Sequence, residues 1–352
     1  MDFVKCRTMQ FPRLVFVGHG VLHNVTDVVR ENSVNKNIVI ITGKTTYDLA
    51  GKDVEGYLSD GGMETFVIKT MDATAENFDS IISEIKGIKP GLVIGVGGGS
   101  KIDLAKKAAF VLGVSAISVP TTPSHDGIAS PRATIKRDHV VLSEDAAMPM
   151  AIIADTSVMI KAPYRFLAAG AADVIANITA VMDWKLSERL NGEEISSSAA
   201  ALSEYASREL IEKADLIVPN SEEAVWLVTK QILASGTAMA VASSSRPASG
   251  SEHLFAHALE KYGSGSSIHG EQVAMGSLVS IYLHGGDYSM LKETYKKIGL
   301  PTSASSYGIS EDTAVKALMT AHSIRPERFT ILGVKDMSEP AARKALEITG
   351  II

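Results

Sequence analysis

The chain has 352 residues, 45% of them hydrophobic and 21% charged, with a formal net charge of −6. That length suggests two domains, and the acidic balance excludes a global basic field for a nucleic-acid partner. No run approaches the ~18 apolar residues of a membrane span, the N-terminus lacks a signal-peptide pattern, and Cys6 is the single thiol, which excludes an intrachain disulfide and a cysteine-built zinc site. These features suit a cytoplasmic protein and leave enzyme and binder equally open.

Short apolar runs alternate with polar-faced segments through the first half. "RLVFVG" (13–18), "NIVIIT" (37–42), "ETFVIK" (64–69), "GLVIGVG" (91–97) and "AISVP" (116–120) read as buried strands, rich in β-branched residues. Residues 45–61 and 74–87 read as helices between them. Alternating strands and helices predict βαβ units and a parallel sheet covered on both faces. Residues 133–143 look like a hairpin, and "MAIIADTSVM" (150–159) like one more strand. After Pro163 no strand-like run remains, and Phe166, Ala169, Val174, Ile178 and Val181 would mark one helical stripe. The expected architecture is a Rossmann-like α/β domain over residues 1–160 and an all-helical domain over 161–352, with a ligand cleft between them.

"VIGVGGGSKIDLAKKAA" runs from strand through a glycine turn into a helix. Glycine allows close backbone approach, and the free N–H groups of a new helix favour phosphate. Ser100 could cap that helix and Lys101 adds charge. The motif departs from GxGxxG, and a ligand-free tight turn is the alternative. Asp103 reads as a dipole and packing residue. A hydroxyl-rich loop, "PTTPSHDGIASPRATI" (120–135), leaves the next strand at the same sheet edge and carries Asp126. After "NIVIIT" stands Gly43-Lys44 rather than the carboxylate of an NAD-selective unit. Lys44 is either a cation for a 2′-phosphate, which would admit NADP, or a plain surface lysine.

"SGSEHLFAHALE" (249–260) sets His253 and His257 four apart, on one helical face, and "IHGEQ" brings His269. They could be metal ligands, a proton relay or partly buried imidazoles. Two imidazoles and one carboxylate would suit zinc with an open position, and equally iron or nickel. Asp173, set in "AAGAADVIANIT", is the expected carboxylate, because a buried one needs a cation or hydrogen-bond partner. His19, His23, His125, His139, His284 and His322 lack such companions and read as structural or surface groups.

Together these segments resemble the iron-containing alcohol dehydrogenase and dehydroquinate synthase-like superfamily over nearly the whole chain. "GVGGGSKIDLAK" matches its phosphate turn. "TTPSHDGIASPRA" and "SSSRPASGSEHLFAHALE…IHGEQVAMG" are similar to its sn-glycerol-1-phosphate dehydrogenase branch in particular. The resemblance implies that Gly98, Gly99, Ser100 and Lys101 hold the pyrophosphate of NAD or NADP, and that Thr121, Thr122, Ser124 and Ser130 contact its nicotinamide half. It implies that Asp173, His253 and His269 bind zinc. Asp126 and His257 would face the substrate as catalytic groups, with Asp173 shared between metal and substrate. Pro123 departs from the small residue usual in that loop, which removes an N–H there. The implied reaction reduces dihydroxyacetone phosphate to sn-glycerol 1-phosphate, a lipid backbone of the archaeal type, in a homo-oligomeric enzyme. Arg246, in the hydroxyl-rich run 242–251, is expected to hold the substrate phosphate. The rival readings are a glycerol dehydrogenase without a phosphate site, a dehydroquinate synthase-like lyase, for which a glutamate ligand would be more usual than Asp173, and a nucleotide sensor, which would not explain the metal-type residues.

Overall fold

The structure, a computed structural model, describes residues 8–137 and 140–352. Cys6 and His139 therefore lie outside the described residues. Six strands form one parallel sheet in the order β1-β8-β5-β4-β2-β3: β1 (Leu14–Gly18), β2 (Asn37–Thr42), β3 (Glu64–Lys69), β4 (Leu92–Gly97), β5 (Ser115–Pro120) and β8 (Ala151–Asp155). At the sheet centre β4 is buried along its whole length, and β2 and β5 beside it are buried after their first residue. This is why they read as continuous apolar runs: helices cover both faces of a parallel sheet. The chain leaves β2 for β3 on one side and returns as β4 on the other. The crevice at the carboxyl ends of β2 and β4 is thus a topological switch point, where such sheets bind ligands. In the register of β4 and β5, Gly97 stands beside Pro120, so the glycine turn and the hydroxyl-rich loop emerge side by side.

A two-stranded antiparallel hairpin, β6 (Arg132–Arg137) and β7 (Val140–Asp145), follows. The expected strand over 150–159 is shorter than its apolar run. It stops at Asp155, whose carboxylate accepts from the Ser157 N–H at 3.0 Å and opens a helical turn, Thr156–Met159. The same carboxylate accepts from the backbone N–H groups of Gly20 and Leu22 at 3.0 and 2.9 Å, tying the ends of β1 and β8 together.

Six helices position the site: α1 (Gly99–Leu112), α2 (Tyr164–Ile175), α3 (Asn177–Asn191), α4 (Glu222–Ala242), α5 (Ser251–Tyr262) and α6 (His269–Leu283). The single apolar stripe expected along α2 is not what forms. Every residue from Leu167 to Ile175 is buried, because α4, α6 and a further helix, Ser197–Glu212, pack around α2. A helix enclosed on all sides has no polar face. Its small residues allow the close approach: a Cβ on Gly170 would lie 1.7 Å from the carbonyl oxygen of Pro123. The apolar windows of Tyr164–Asn191 and Glu222–Ala242 are long enough to cross a membrane, yet 83% and 67% of them are buried inside the protein's own core.

Candidate active site

One cavity of about 1020 Å³ runs from the carboxyl edge of the sheet to the helical half. Its first end is made by backbone. α1 begins at Gly99, and its N-cap is Gly98 with no side-chain cap. Ser100 is therefore inside the helix rather than capping it, which leaves the first N–H groups free for an anion. Gly99 has to be glycine: a Cβ there would meet the His125 ring nitrogen Nε2 at 1.7 Å. His125 is thus a packing residue of the turn, and its Nδ1 accepts from the Gly127 N–H at 2.9 Å. Lys101 donates to the Met71 carbonyl, and burial lowers its pKa. Thr45, Thr46, Asp48 and Asp72 line this end, whereas exposed Lys44 does not reach it.

Thr121, Thr122, Ser124 and Ser130 line the middle. The Thr121 Oγ1 is buried and has no hydrogen-bond partner among the described residues, and the Thr122 hydroxyl donates to Ser124 at 3.2 Å. Lys106, buried on α1, holds this loop from beneath. Its ammonium donates to the carbonyls of Gly127 at 2.5 Å, Ser130 at 3.3 Å and Arg132. Asp103 is its buried counter-ion at 2.9 Å and also accepts from the Thr134 N–H at 2.9 Å, the packing role its position suggested.

The second end is made by side chains. Asp173 on α2, His253 on α5 and His269 at the start of α6 offer ligand atoms all within 4.8 Å of one another. The Asp173 Oδ1 lies 3.4 Å from His253 Nε2 and 3.8 Å from His269 Nε2. Among the described residues that oxygen has no hydrogen-bond partner, though it is buried, while Oδ2 accepts from the Asp126 N–H at 3.2 Å. An orphaned buried carboxylate oxygen facing two imidazole nitrogens is a donor set that fits a divalent cation.

Behind the imidazoles stand two carboxylates that sequence reasoning missed. Glu252, fully buried, faces His253 Nδ1 at 3.0 Å and is held by the Thr179 hydroxyl at 2.8 Å and the Gly250 N–H. Glu260 faces His257 Nδ1 at 3.1 Å and lies 3.8 Å from His269 Nδ1. Each pairing fixes a ring by its Nδ1, which leaves the Nε2 atoms of His253 and His269 toward Asp173, the outer-shell arrangement of metal-binding histidines. The pattern was present as E-H at 252–253 and H-x-x-E at 257–260, but glutamates on a helix read as solvent-facing charge.

The three imidazoles form a triangle, with ring centroids 5.2 to 6.2 Å apart. Burial lowers the pKa of His257, against the pull of Glu260. Burial also raises Asp126 to about 7, and the facing charge of Asp173 adds to this, while a 2.7 Å hydrogen bond from Ser235 opposes it. Burial would raise Asp173 too, but His253 and His269 draw it down. Two neighbouring carboxyl groups held apart in this way are suited to different proton states.

Arg246 is not brought to the cavity. Its buried guanidinium is engaged by the Glu193 carboxylate, with Nε at 2.7 Å, and by the Phe329 carbonyl at 2.9 Å. The fork expected to meet substrate phosphate instead closes a structural ion pair, so the phosphate role read from the hydroxyl-rich run is corrected.

Residues 16–163 match the family model described as iron-containing alcohol dehydrogenase. The architecture is shared with solved structures: glycerol dehydrogenase from Schizosaccharomyces pombe (TM-score 0.80, 21% identity, covering 98% of this chain and 90% of that one) and an iron-containing alcohol dehydrogenase from Thermotoga maritima (TM-score 0.74, 13% identity, 97% and 99%). The parallel sheet followed by the helical half is thus the fold of those dehydrogenases. More specifically, the chain belongs to the glycerol-1-phosphate dehydrogenase [NAD(P)+] family. It is 59% identical to the member from Picrophilus torridus and 55% identical to that from Thermoplasma volcanium, each over 100% of both chains, and 47% identical to that from Methanosarcina mazei over 99% of this chain and 98% of the relative.

Proposed function

We propose that the protein reduces dihydroxyacetone phosphate with NADH or NADPH to sn-glycerol 1-phosphate, supplying a backbone for archaeal-type membrane lipids. One observation carries the reading: a free helix N-terminus suited to pyrophosphate and an Asp-His-His donor set share a single cavity. The family membership supports the same substrate. Residues 1–160 form the nucleotide unit in this reading and residues 161–352 the metal- and substrate-binding unit, in a cytoplasmic homo-oligomer.

Asp173, His253 and His269 would hold zinc, and the set also admits iron or nickel. When bound, the cation supplies Lewis acidity toward the ketone oxygen and the nicotinamide supplies hydride. The chain's residues do the rest. Gly98 to Lys101 bind the pyrophosphate, and Thr121, Thr122, Ser124 and Ser130 orient the nicotinamide half against the sheet edge. Glu252 keeps His253 Nε2 turned to the site, and Asp173 fixes the Asp126 backbone. Asp126 and His257 contact the substrate, and His257, with Glu260 holding its Nδ1, relays a proton taken up from solvent to the developing alkoxide.

The test is a metal-reconstituted assay of dihydroxyacetone phosphate against dihydroxyacetone, each with NADH and NADPH, with the product enantiomer determined. The reading expects a strong preference for the phosphorylated ketone and the sn-1 product. Equal use of both ketones would overturn it in favour of a glycerol dehydrogenase.

A further inference from the structure

With Arg246 engaged elsewhere, the cavity walls carry the cations Lys101, Arg132, Lys136, Lys161 and Arg325. Lys101 belongs to the nucleotide end. Lys136 does too, since its backbone N–H donates to the Ala73 carbonyl and Ala73 and Thr74 line that end. Arg132, Thr134 and Lys136 all line the cavity and alternate along β6, hence share its face. Arg132 is thus two pleats from Lys136, ~13 Å at ~3.3 Å per residue, toward the far end.

Arg325 and Arg132 line the same cavity, and burial lowers the Arg325 pKa, with the charge of Arg132 adding to this and that of Glu327 opposing it. Arg132 has Asp145 as an ion-pair partner. The half-buried Arg325 guanidinium makes no hydrogen bond or ion pair among the described residues. A desolvated guanidinium with a like charge beside it is costly unless an anion joins it.

Its position is fixed independently. The turn before it, Ala321–Ile324, packs on α5, which carries His253 and His257. Three residues on, Arg328 donates to the Ser249 carbonyl and to the Ser245 hydroxyl at 2.8 Å. Ser245, Ala248 and Ser249 line the cavity beside Arg325. An unpaired planar fork is therefore docked on the loop that leads into the metal-site helix.

We infer that Arg325, with Arg132 beside it and the 245–249 loop beneath it, is the subsite that takes the substrate's phosphate. The inference rests on the dihydroxyacetone phosphate reading. A guanidinium fork matches phosphate oxygens in a bidentate way that an ammonium cannot, so lysine at this position should only partly substitute.

The test uses the metal-loaded full-length enzyme with Arg325→Ala and Arg325→Lys. Two quantities are measured: the ratio of kcat/KM for dihydroxyacetone phosphate to that for dihydroxyacetone, and the calorimetric affinity for inorganic phosphate. The ratio should fall tenfold or more in Arg325→Ala, through KM, and less in Arg325→Lys, with phosphate affinity falling in parallel. Wild-type ratio and wild-type phosphate affinity in a folded Arg325→Ala enzyme would overturn the assignment, as would an equal loss on both ketones with phosphate affinity intact. Should the unmodified enzyme itself not discriminate between the ketones, the functional reading fails, and the phosphate affinity of the variants alone decides whether Arg325 is an anion site. Thermal melting of both variants checks the fold, and Arg325→Lys serves if the alanine variant does not fold.

Discussion

The two ends of the cavity are built from different materials. The nucleotide end is mainly backbone: a helix N-terminus, a glycine turn and short hydroxyls, with Gly99 closed in by His125. The metal end is almost entirely side chain: three imidazoles, Asp173 and Asp126 at the surface of the site, with Glu252 and Glu260 behind. The first kind of site fails when something is added. The second fails when something is removed.

Four changes would sharpen or break that contrast. The largest effect belongs to His253→Ala, which removes one of the three proposed ligands and strands Asp173. Metal content measured on the purified protein should fall to a small fraction, and turnover by ~10³-fold or more, equivalent to several kcal/mol of lost transition-state stabilisation. Glu252→Gln keeps the volume but not the charge behind His253. Its metal affinity, from chelator competition, should drop ~10–100-fold, and retained affinity would make Glu252 a mere core residue. At the other end, Gly99→Ala forces His125 aside. Its Kd for NAD(P)H should rise with metal content unchanged; loss of metal instead would break the contrast. Arg246→Ala should lower stability by ~1–3 kcal/mol by unpairing a buried hydrogen-bonded charge, read by denaturant unfolding, while slowing both ketones alike.

A smaller effect is set by pH. Burial raises the Asp155 carboxyl, but the hydrogen bonds it accepts from Ser157, Leu22 and Gly20 outweigh this and leave it below its ordinary value. A depressed folded-state pKa contributes stability above the unfolded pKa of ~3.9 and loses it as pH falls through the folded value. Asp155→Asn should therefore flatten the acid limb of the stability curve, seen as melting temperature against pH below about 4.

Much of the fold was legible because burial on both faces leaves unmistakable apolar runs. β2 and β3 begin and end where "NIVIIT" and "ETFVIK" do. What escaped depended on partners distant in sequence. The run over 150–159 gives no sign that Asp155 will bond to Gly20 and Leu22 and end the strand. The helix at 164–175 shows no stripe because its neighbours surround it. Asp173, His253 and His269 converge as their chemistry suggested, since a carboxylate among small apolar residues has few other uses. Arg246 misled because its counter-ion, Glu193, sits 53 residues away, and Arg325 passed unnoticed because nothing beside it in the chain suggests phosphate.

The ammonium of Lys106 has a mechanical consequence. It fastens the Gly127, Ser130 and Arg132 carbonyls to the helix whose tip is the proposed pyrophosphate seat, which joins tip and loop as one lever. That lever meets the helical half at Asp126, through its N–H to Asp173 and its carboxylate from Ser235. The two ends of the cavity are thus joined through one residue, Asp126, so a change in its backbone or its carboxylate reaches both.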